Sequence, residues 1–326
     1  MIQLHMGATG WQMSNARIAV LIPCYNEEVA IGQVVRDFAG ALPDARIFVY
    51  DNNSKDRTRE VAVLAGAVVR TETLQGKGHV VRRMFSDIEA DAYVLVDGDG
   101  TYDAAAAPEM VRRLLAEQLD MVNAQRIEME GEGPVGAYRR GHRTGNRVLT
   151  GLVRCVFGDR IKDMLSGYRV FSRRFVKTFP ALASGFETET EFTIHALDMW
   201  MPIAEVPTKY RERSPGSVSK LRTYSDGFRI LNTIIKLVKE ERPLQFFSTA
   251  GAVLLVLGVL ISLPVLITYA RTGLVPRLPT AVLAMGCVVV AFLAFTCGLI
   301  LDSVARGRRE AKRLAYLAVP RWTPED

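Results

Sequence analysis

The chain has 326 residues, 49% of them apolar, and a formal net charge of +6. That length allows a large core in one domain or two, and the apolar share leans above that of an ordinary soluble protein. The basic excess does not imply nucleic acid, because much of it is gathered beside two uncharged stretches near the C-terminus. Four cysteines, Cys24, Cys155, Cys287 and Cys297, show no paired spacing, which excludes a readable disulfide framework or zinc site and fits a reducing compartment.

In chain order, residues 1–16 (MIQLHMGATGWQMSNA) lack a basic flank followed by an apolar core. They do not read as a signal peptide, and we expect a flexible tail. From Arg17 onward, short β-rich runs alternate with helical spacing. RIAVLIP leads into NEEVAIGQVVRDFAGAL, RIFVYD into SKDRTREVAVLAG, and AVVRT into GKGHVVRRMFSDIEA; AYVLVD is a fourth strand. This alternation predicts an α/β fold whose mostly parallel sheet is covered on both faces. In such sheets ligands bind beyond the carboxyl ends of the strands. Three strands end in IPCYNEE, VYDNNSKDRT and LVDGDG, so their polar tips converge on one edge. Asp97 and Asp99 place two hard oxygen ligands there, suited to Mg²⁺ or Mn²⁺ with water and substrate phosphates completing the shell. An acidic pair in a turn is common; its place after a buried strand gives this one weight.

Residues 102–224 are less regular. GFETETEF sets Glu187, Glu189 and Glu191 at period two, as on one face of an edge strand, or in a loop near the site. SDGFRILNTIIKLVKEERPLQFF is amphipathic, with Phe228, Leu231, Ile235 and Val238 at helical spacing. It reads as a helix lying in the membrane interface, with packing on the soluble domain as the alternative. Residues 246–269 and 280–301 are uncharged, and each exceeds the roughly 20 helical residues that cross a bilayer; a kink at Pro264 would not prevent a span. Lys236, Lys239 and Arg242 precede the pair, and Arg306, Arg308, Arg309, Lys312 and Arg313 follow it. The connection, 270–279, carries only Arg271 and Arg277. The positive-inside rule therefore puts both outer ends in the cytoplasm, beside anionic headgroups that suit the basic flanks. The expected organisation is a tail (1–16), a catalytic domain (17–224), interface helices (225–245), a two-span transmembrane hairpin (246–302) and a basic cytoplasmic tail (303–326).

IPCYNEE, DNNSKDRT, GKG and DGDGTY, in this order, resemble glycosyltransferase family 2 with its GT-A fold. DMLSGYRVFSRR and VPTKYRERSPGSVSKLRT, followed by the hairpin, resemble the polyprenyl-phosphate branch, of dolichyl-phosphate mannose or glucose synthase type. The resemblance spans roughly residues 17–302. It implies that Pro23, Tyr25, Glu27, Asp51 and Lys77 bind the nucleotide sugar, together with Asp97. It implies Asp97 and Asp99 as metal ligands, Asp97, Asp99 and Asp163 as catalytic, and Arg126, Arg140, Thr144, Arg213, Ser219 and Lys220 as contacts to the acceptor phosphate. Asp51 would also fit an Asx turn with residues 52–54. Some relatives have a glutamine ligand where this chain has Thr101, a weaker donor. RSPGSVSK is one residue longer between Gly and Lys than the family pattern.

The implied reaction is inverting transfer of a hexose from a nucleotide-diphosphate sugar, a UDP-sugar favoured, to undecaprenyl or dolichyl phosphate, with Mg²⁺ or Mn²⁺. The implied setting is the cytoplasmic (inner) membrane, multi-pass, with the bilayer as partner and no nucleic acid. Hairpin-anchored relatives can associate, so a homo-oligomer stays open. A processive polysaccharide synthase would add a Q-x-x-R-W element and further spans, which this sequence lacks. A non-catalytic scaffold is opposed by the retained Asp97–Asp99 pair and arginines, and a nucleotidyltransferase gives no reason for the hairpin.

Overall fold

The computed structural model describes residues 15–127, 140–185, 187–211, 213 and 223–323, with the side chains of 140–148 and 223–226 left undescribed. Four strands come first: β1 (Ile18–Cys24), β2 (Arg46–Asp51), β3 (Val68–Thr71) and β4 (Ala92–Leu95). They alternate with α1 (Ile31–Ala41), α2 (Thr58–Leu64) and α3 (Lys77–Asp87). Next come α4 (Ala107–Ala116), β5 (Met121–Ile127), α5 (Arg140–Phe157), β6 (Arg169–Ser172), α6 (Arg173–Thr178), α7 (Thr188–Asp198) and β7 (Ile203–Lys209). The chain ends in α8 (Thr223–Glu241), α9 (Pro243–Thr272) and α10 (Leu278–Ala318).

The seven strands form one sheet in the order β3-β2-β1-β4-β6-β5-β7. β1 pairs in parallel with β2 and β4, and β5 with β7, while β6 runs antiparallel between β4 and β5. The sheet is thus mixed and mostly parallel, and both faces are buried. Ile18, Val20 and Ile22 face a core shared with α1 and α4; Ala19 and Leu21 face the other, shared with α3, α6 and α7. A strand covered on both sides has no polar face to expose, which explains the continuous apolar runs. The parallel strands end together, so Cys24, Asp51 and the residues after Leu95 share one edge. Close packing there requires Gly98: a Cβ at this position would lie 2.5 Å from Cys24 Sγ.

α8 is amphipathic, and one of its faces is buried in the protein. Ile230, Ile234 and Leu237 are buried against Leu149, Val153, Met164, Ile194 and Leu197 of α5, α7 and their connection. The helix therefore packs on the catalytic domain. Phe228 and Ile235 remain exposed on another face. α9 and α10 are both long and apolar enough to cross a membrane, and α9 runs unbroken through Pro264. Gly273 ends α9 in the left-handed region (φ 68°), its N–H donating to Tyr269 O at 2.8 Å, a conformation that glycine adopts without a Cβ penalty. The two helices meet along small residues: Gly251 and Gly258 on α9, and Ala284, Ala291, Gly298 and Ala305 on α10. The seven-residue spacing keeps one seam facing the partner, and small side chains let apolar helices approach in lipid.

Gly98→Ala should destabilise the chain by about 1–3 kcal/mol, the range for overpacking a filled core, read as a lowered unfolding temperature in detergent. Cys24→Ala introduced with it should recover much of that loss. A double variant no more stable than Gly98→Ala would refute the Cys24 contact as the cause.

Candidate active site

The strand-end loops are tied to one another before any ligand is considered. Asn26, in the left-handed region (φ 53°), donates its backbone N–H to Ser54 Oγ at 2.8 Å, and its Oδ1 accepts from Lys55 N at 2.8 Å. Glu27 N donates to Thr58 Oγ1 at 2.8 Å. These bonds clip the loop after β1 to the loop after β2. Asp51 is buried and accepts from Ser54 N at 3.2–3.3 Å, as the turn reading expects. Asn52 then organises the approach to α3. Its Nδ2 donates to Glu72 O and Leu74 O, and its Oδ1 accepts from Gly76 N at 2.7 Å. Pro23, Tyr25, Glu27, Asp51 and Lys77 therefore lie on one connected edge.

Lys77, the first residue of α3, points at the carboxylates. Its Nζ lies 2.5 Å from Asp97 Oδ1 and also binds Glu189 Oε1. Burial alone would lower the ammonium's pKa; the two carboxylates overcome it and hold the group charged. Asp99 is paired separately. Arg213 reaches its Oδ2 at 2.6 Å, and the Thr101 hydroxyl donates to its Oδ1 at 2.7 Å. Burial, then the Asp97 charge, push the Asp99 carboxyl above its usual range, against the pull of Arg213 and Thr101. Gly167 sits so close that a Cβ there would meet Asp97 Oδ2 at 2.2 Å, and its N–H donates to the Tyr102 hydroxyl at 2.8 Å.

Hard carboxylates side by side, one of them one-third exposed, are a donor set that fits Mg²⁺ or Mn²⁺. A like-charge pair with one buried member is also the kind of site where a dication relieves repulsion. Thr101 braces Asp99 with its hydroxyl proton, and no third His, Cys, Asp or Glu joins the pair in a ligand cluster among the described residues. Among the described residues, two carboxylates would be the protein's share of such a shell.

The second half of the sheet brings further residues to the same edge. β5 runs in the direction of β4, so Arg126 near its end lies on the site side. Its guanidinium clasps Asp163 with two bonds of 2.7 Å, and its backbone N–H adds a third at 3.2 Å. Burial alone would raise Asp163; the Arg126 fork outweighs it and holds the carboxyl below its usual range. Arg126 also lies over the Tyr210 ring, 5.5 Å from its centroid, and Tyr210 stacks edge-on against Tyr102. Arg140 and Thr144 fall on the first turns of α5, where side chains are outside the described residues, as are Ser219 and Lys220 altogether.

The sequence reading misses several supports. GFETETEF does not form an edge strand: Thr188–Asp198 is a helix with every residue buried. Glu189 and Glu191 therefore diverge; Glu189 holds Lys77, while Glu191 accepts from Ala183 N at 3.0 Å. A helix covered all round has no amphipathic period to read. Arg169, fully buried, donates to Ser166 O at 3.1 Å and Thr193 Oγ1 at 3.0 Å, and burial lowers it to about 10. It braces the 164–168 loop behind Asp97. His195 lies between Phe175 and Phe179, and burial pushes it down to about 3, making it a neutral core residue.

A family model described as Glycosyl transferase family 2 matches residues 19–179. Over 235 residues the chain is 34% identical to glycosyltransferase AglJ of Haloferax volcanii, covering 72% of this chain and 76% of that protein. The chain belongs to glycosyltransferase family 2. It is also 30% identical over 225 residues to a dolichyl-phosphate hexose transferase of the same organism, covering 69% of this chain and 95% of that one. Glucosyl-3-phosphoglycerate synthase of Mycobacterium tuberculosis, solved with Mn²⁺, UDP-glucose and phosphoglyceric acid, aligns at a TM-score of 0.56 and 22% identity, over 71% of this chain and 85% of that one. This likeness shows the shared GT-A fold. In this family 2 glycosyltransferase, then, the strand edge bearing Asp97 and Asp99 is the candidate transfer site.

Asp163 titrates below its unfolded value near 3.9. Its stabilisation is therefore complete above that value and is lost as pH falls through the folded one. Asp163→Asn should lower the unfolding temperature at pH 7 and flatten its fall below about pH 4. An acid limb identical to the wild-type chain's would contradict the pairing.

Proposed function

We propose that this glycosyltransferase moves a hexose from a nucleotide-diphosphate sugar, a UDP-sugar by preference, to a polyprenyl phosphate, on the cytoplasmic face of the inner membrane. The observation that carries the reading is the Asp97–Asp99 pair with Lys77 at a GT-A strand edge, in a chain that also has two membrane-length apolar helices. The relative named for dolichyl-phosphate hexose transfer supports the acceptor class. The fold relative's complex with Mn²⁺ and UDP-glucose supports a metal and a nucleotide sugar.

In this reading a phosphate oxygen of the acceptor attacks the anomeric carbon as the bond from that carbon to the diphosphate breaks, inverting the centre. The attacking oxygen is already anionic, so it needs position and desolvation more than a base. Asp97 and Asp99 would hold Mg²⁺ or Mn²⁺, which supplies charge neutralisation for the leaving diphosphate. Lys77, kept charged by Asp97 and Glu189, adds a second positive group on the donor side. Pro23, Tyr25, Glu27 and Asp51 hold base and ribose. Arg126, Arg140, Thr144, Arg213, Ser219 and Lys220 receive the acceptor phosphate, for which an arginine fork is well suited. Asp163 serves by aiming Arg126. The exposed Phe228 and Ile235 of α8, with Arg229, Lys236 and Lys239, present a face suited to the membrane surface.

Excess chelator should abolish turnover, and Asp99→Asn should cut it by orders of magnitude in a folded chain; full activity in chelator would end the metal reading. Arg140→Ala should reduce transfer to polyprenyl phosphate by about 10- to 100-fold, the equivalent of losing one charge-assisted contact. Nucleotide-sugar affinity, measured calorimetrically with metal, should stay unchanged; loss of donor binding would move Arg140 to the donor site. For topology, cysteine labels at Gly273 and Thr323 should report opposite sides of the membrane, and the same side for both would refute the two-span arrangement.

A further inference from the structure

α10 does not stop where its apolar stretch stops. It continues to Ala318, and this extension packs on α8 and α6 of the catalytic domain. Arg308 donates to Glu240 O at 2.7 Å, and Lys312 pairs with Glu241 at 2.7 Å, beside the corner where Arg242 meets Asp198 at 3.0 Å. One turn further, Tyr316 reaches the sheet edge opposite the active site. Its hydroxyl donates to Asp120 Oδ2 at 2.7 Å, and Arg174 covers its ring at 4.8 Å. Its ring packs on the apolar core beneath α3, α6 and α7. Asp120 is buried and is itself fixed by the Ser172 hydroxyl at 2.7 Å. Beyond the helix, Val319 O accepts from Arg174 Nε at 2.9 Å, and Arg321 donates to Gln118 Oε1 at 2.6 Å.

We infer that residues 303–323 form a strut that fixes the catalytic domain to the hairpin, with Tyr316 as its positioning residue. One covalent corner, between α8 and α9, would leave a hinge. The strut adds a second attachment on another part of the domain, and two separated attachments remove the swing. This rests on the polyprenyl-phosphate reading, because the gain depends on where the acceptor is. A phosphate on a bilayer-embedded chain is confined to the headgroup plane and cannot follow a tilting active site. A short acceptor free in water can. The strut therefore serves reaction with the confined acceptor specifically, by holding the active site at one height and angle.

The test compares two acceptors with the full chain in vesicles: a long-chain polyprenyl phosphate embedded in the bilayer and a short, water-soluble prenyl phosphate. Tyr316→Ala should lower transfer to the embedded acceptor by about tenfold or more, since small displacements far from the chemistry can cost up to about a hundredfold. Transfer to the soluble acceptor and the KM for nucleotide sugar should stay within about twofold of wild type, as no substrate contact is lost. Tyr316→Phe, which keeps the ring under Arg174, should fall between. Equal losses with both acceptors, or no loss with either, would overturn the strut. A measurement independent of activity is cross-linking of Gln118→Cys with Arg321→Cys by a short bis-maleimide, in a chain carrying Cys155→Ser. An intramolecular product is expected, weakened by Tyr316→Ala; no product would overturn the docking itself. If the wild-type chain used neither acceptor, the functional reading would fall and the strut's purpose with it, whereas a missing cross-link removes the strut alone.

Discussion

A buried ammonium between two carboxylates holds this site together. Lys77, Asp97 and Glu189 come from three different elements, and none would be stable there alone. An isolated charge out of water is costly, and it is tolerated when paired and hydrogen-bonded. Lys77 thus joins the start of α3 to the end of β4 and the start of α7. Around that link the other charges are balanced in pairs: Asp99 with Arg213, Asp163 with Arg126. Asp97, Asp99, Asp163 and Glu189 can gather there because each has a cation within reach.

The pairs are also ordered from rigid to adjustable. Arg169 and Asp163 are anchored by the loop and strand behind them, with burial on every side. Asp97 and Arg213 are more exposed, at 31% and 26% of their side-chain surface. Charge therefore becomes more accessible towards solvent, where a diphosphate and a metal would arrive. A metal taking the two aspartates would meet cations already there, so loading the site means redistributing its ion pairs.

Much of this was legible in the sequence, for identifiable reasons. Four strands and three helices followed from apolar runs and helical spacing, because a parallel sheet buries its strands completely. LVDGDG pointed to the candidate site through an abrupt change from apolar to acidic at a strand end. The hairpin followed from length and the lack of charge. What escaped was set by tertiary contact. β6 inserts antiparallel between β4 and β5, which four residues of local sequence cannot announce. α7 is buried on all sides, so its glutamates suggested a strand period. On α8 the set chosen by spacing was split: Leu231 and Val238 pack beside Ile230, Ile234 and Leu237, whereas Phe228 and Ile235 stay exposed. Arg126 could be placed at the site, but its clasp on Asp163 depends on a loop 37 residues away.

The seam of the hairpin has a consequence for how this protein can change over generations. A methyl group at Gly251 would come within 2.9 Å of the Ala291 carbonyl oxygen, and one at Gly258 within 3.1 Å of Ala284 O. A backbone atom in the opposing helix cannot step aside as a side chain can. In a membrane the outward-facing residues would have a fluid neighbour that accommodates any apolar shape, so Val, Leu, Ile and Phe would be nearly interchangeable there. Substitutions should therefore accumulate around the outside of the hairpin and leave one narrow line untouched. That line would be a record of helix contact written in the residues that are smallest.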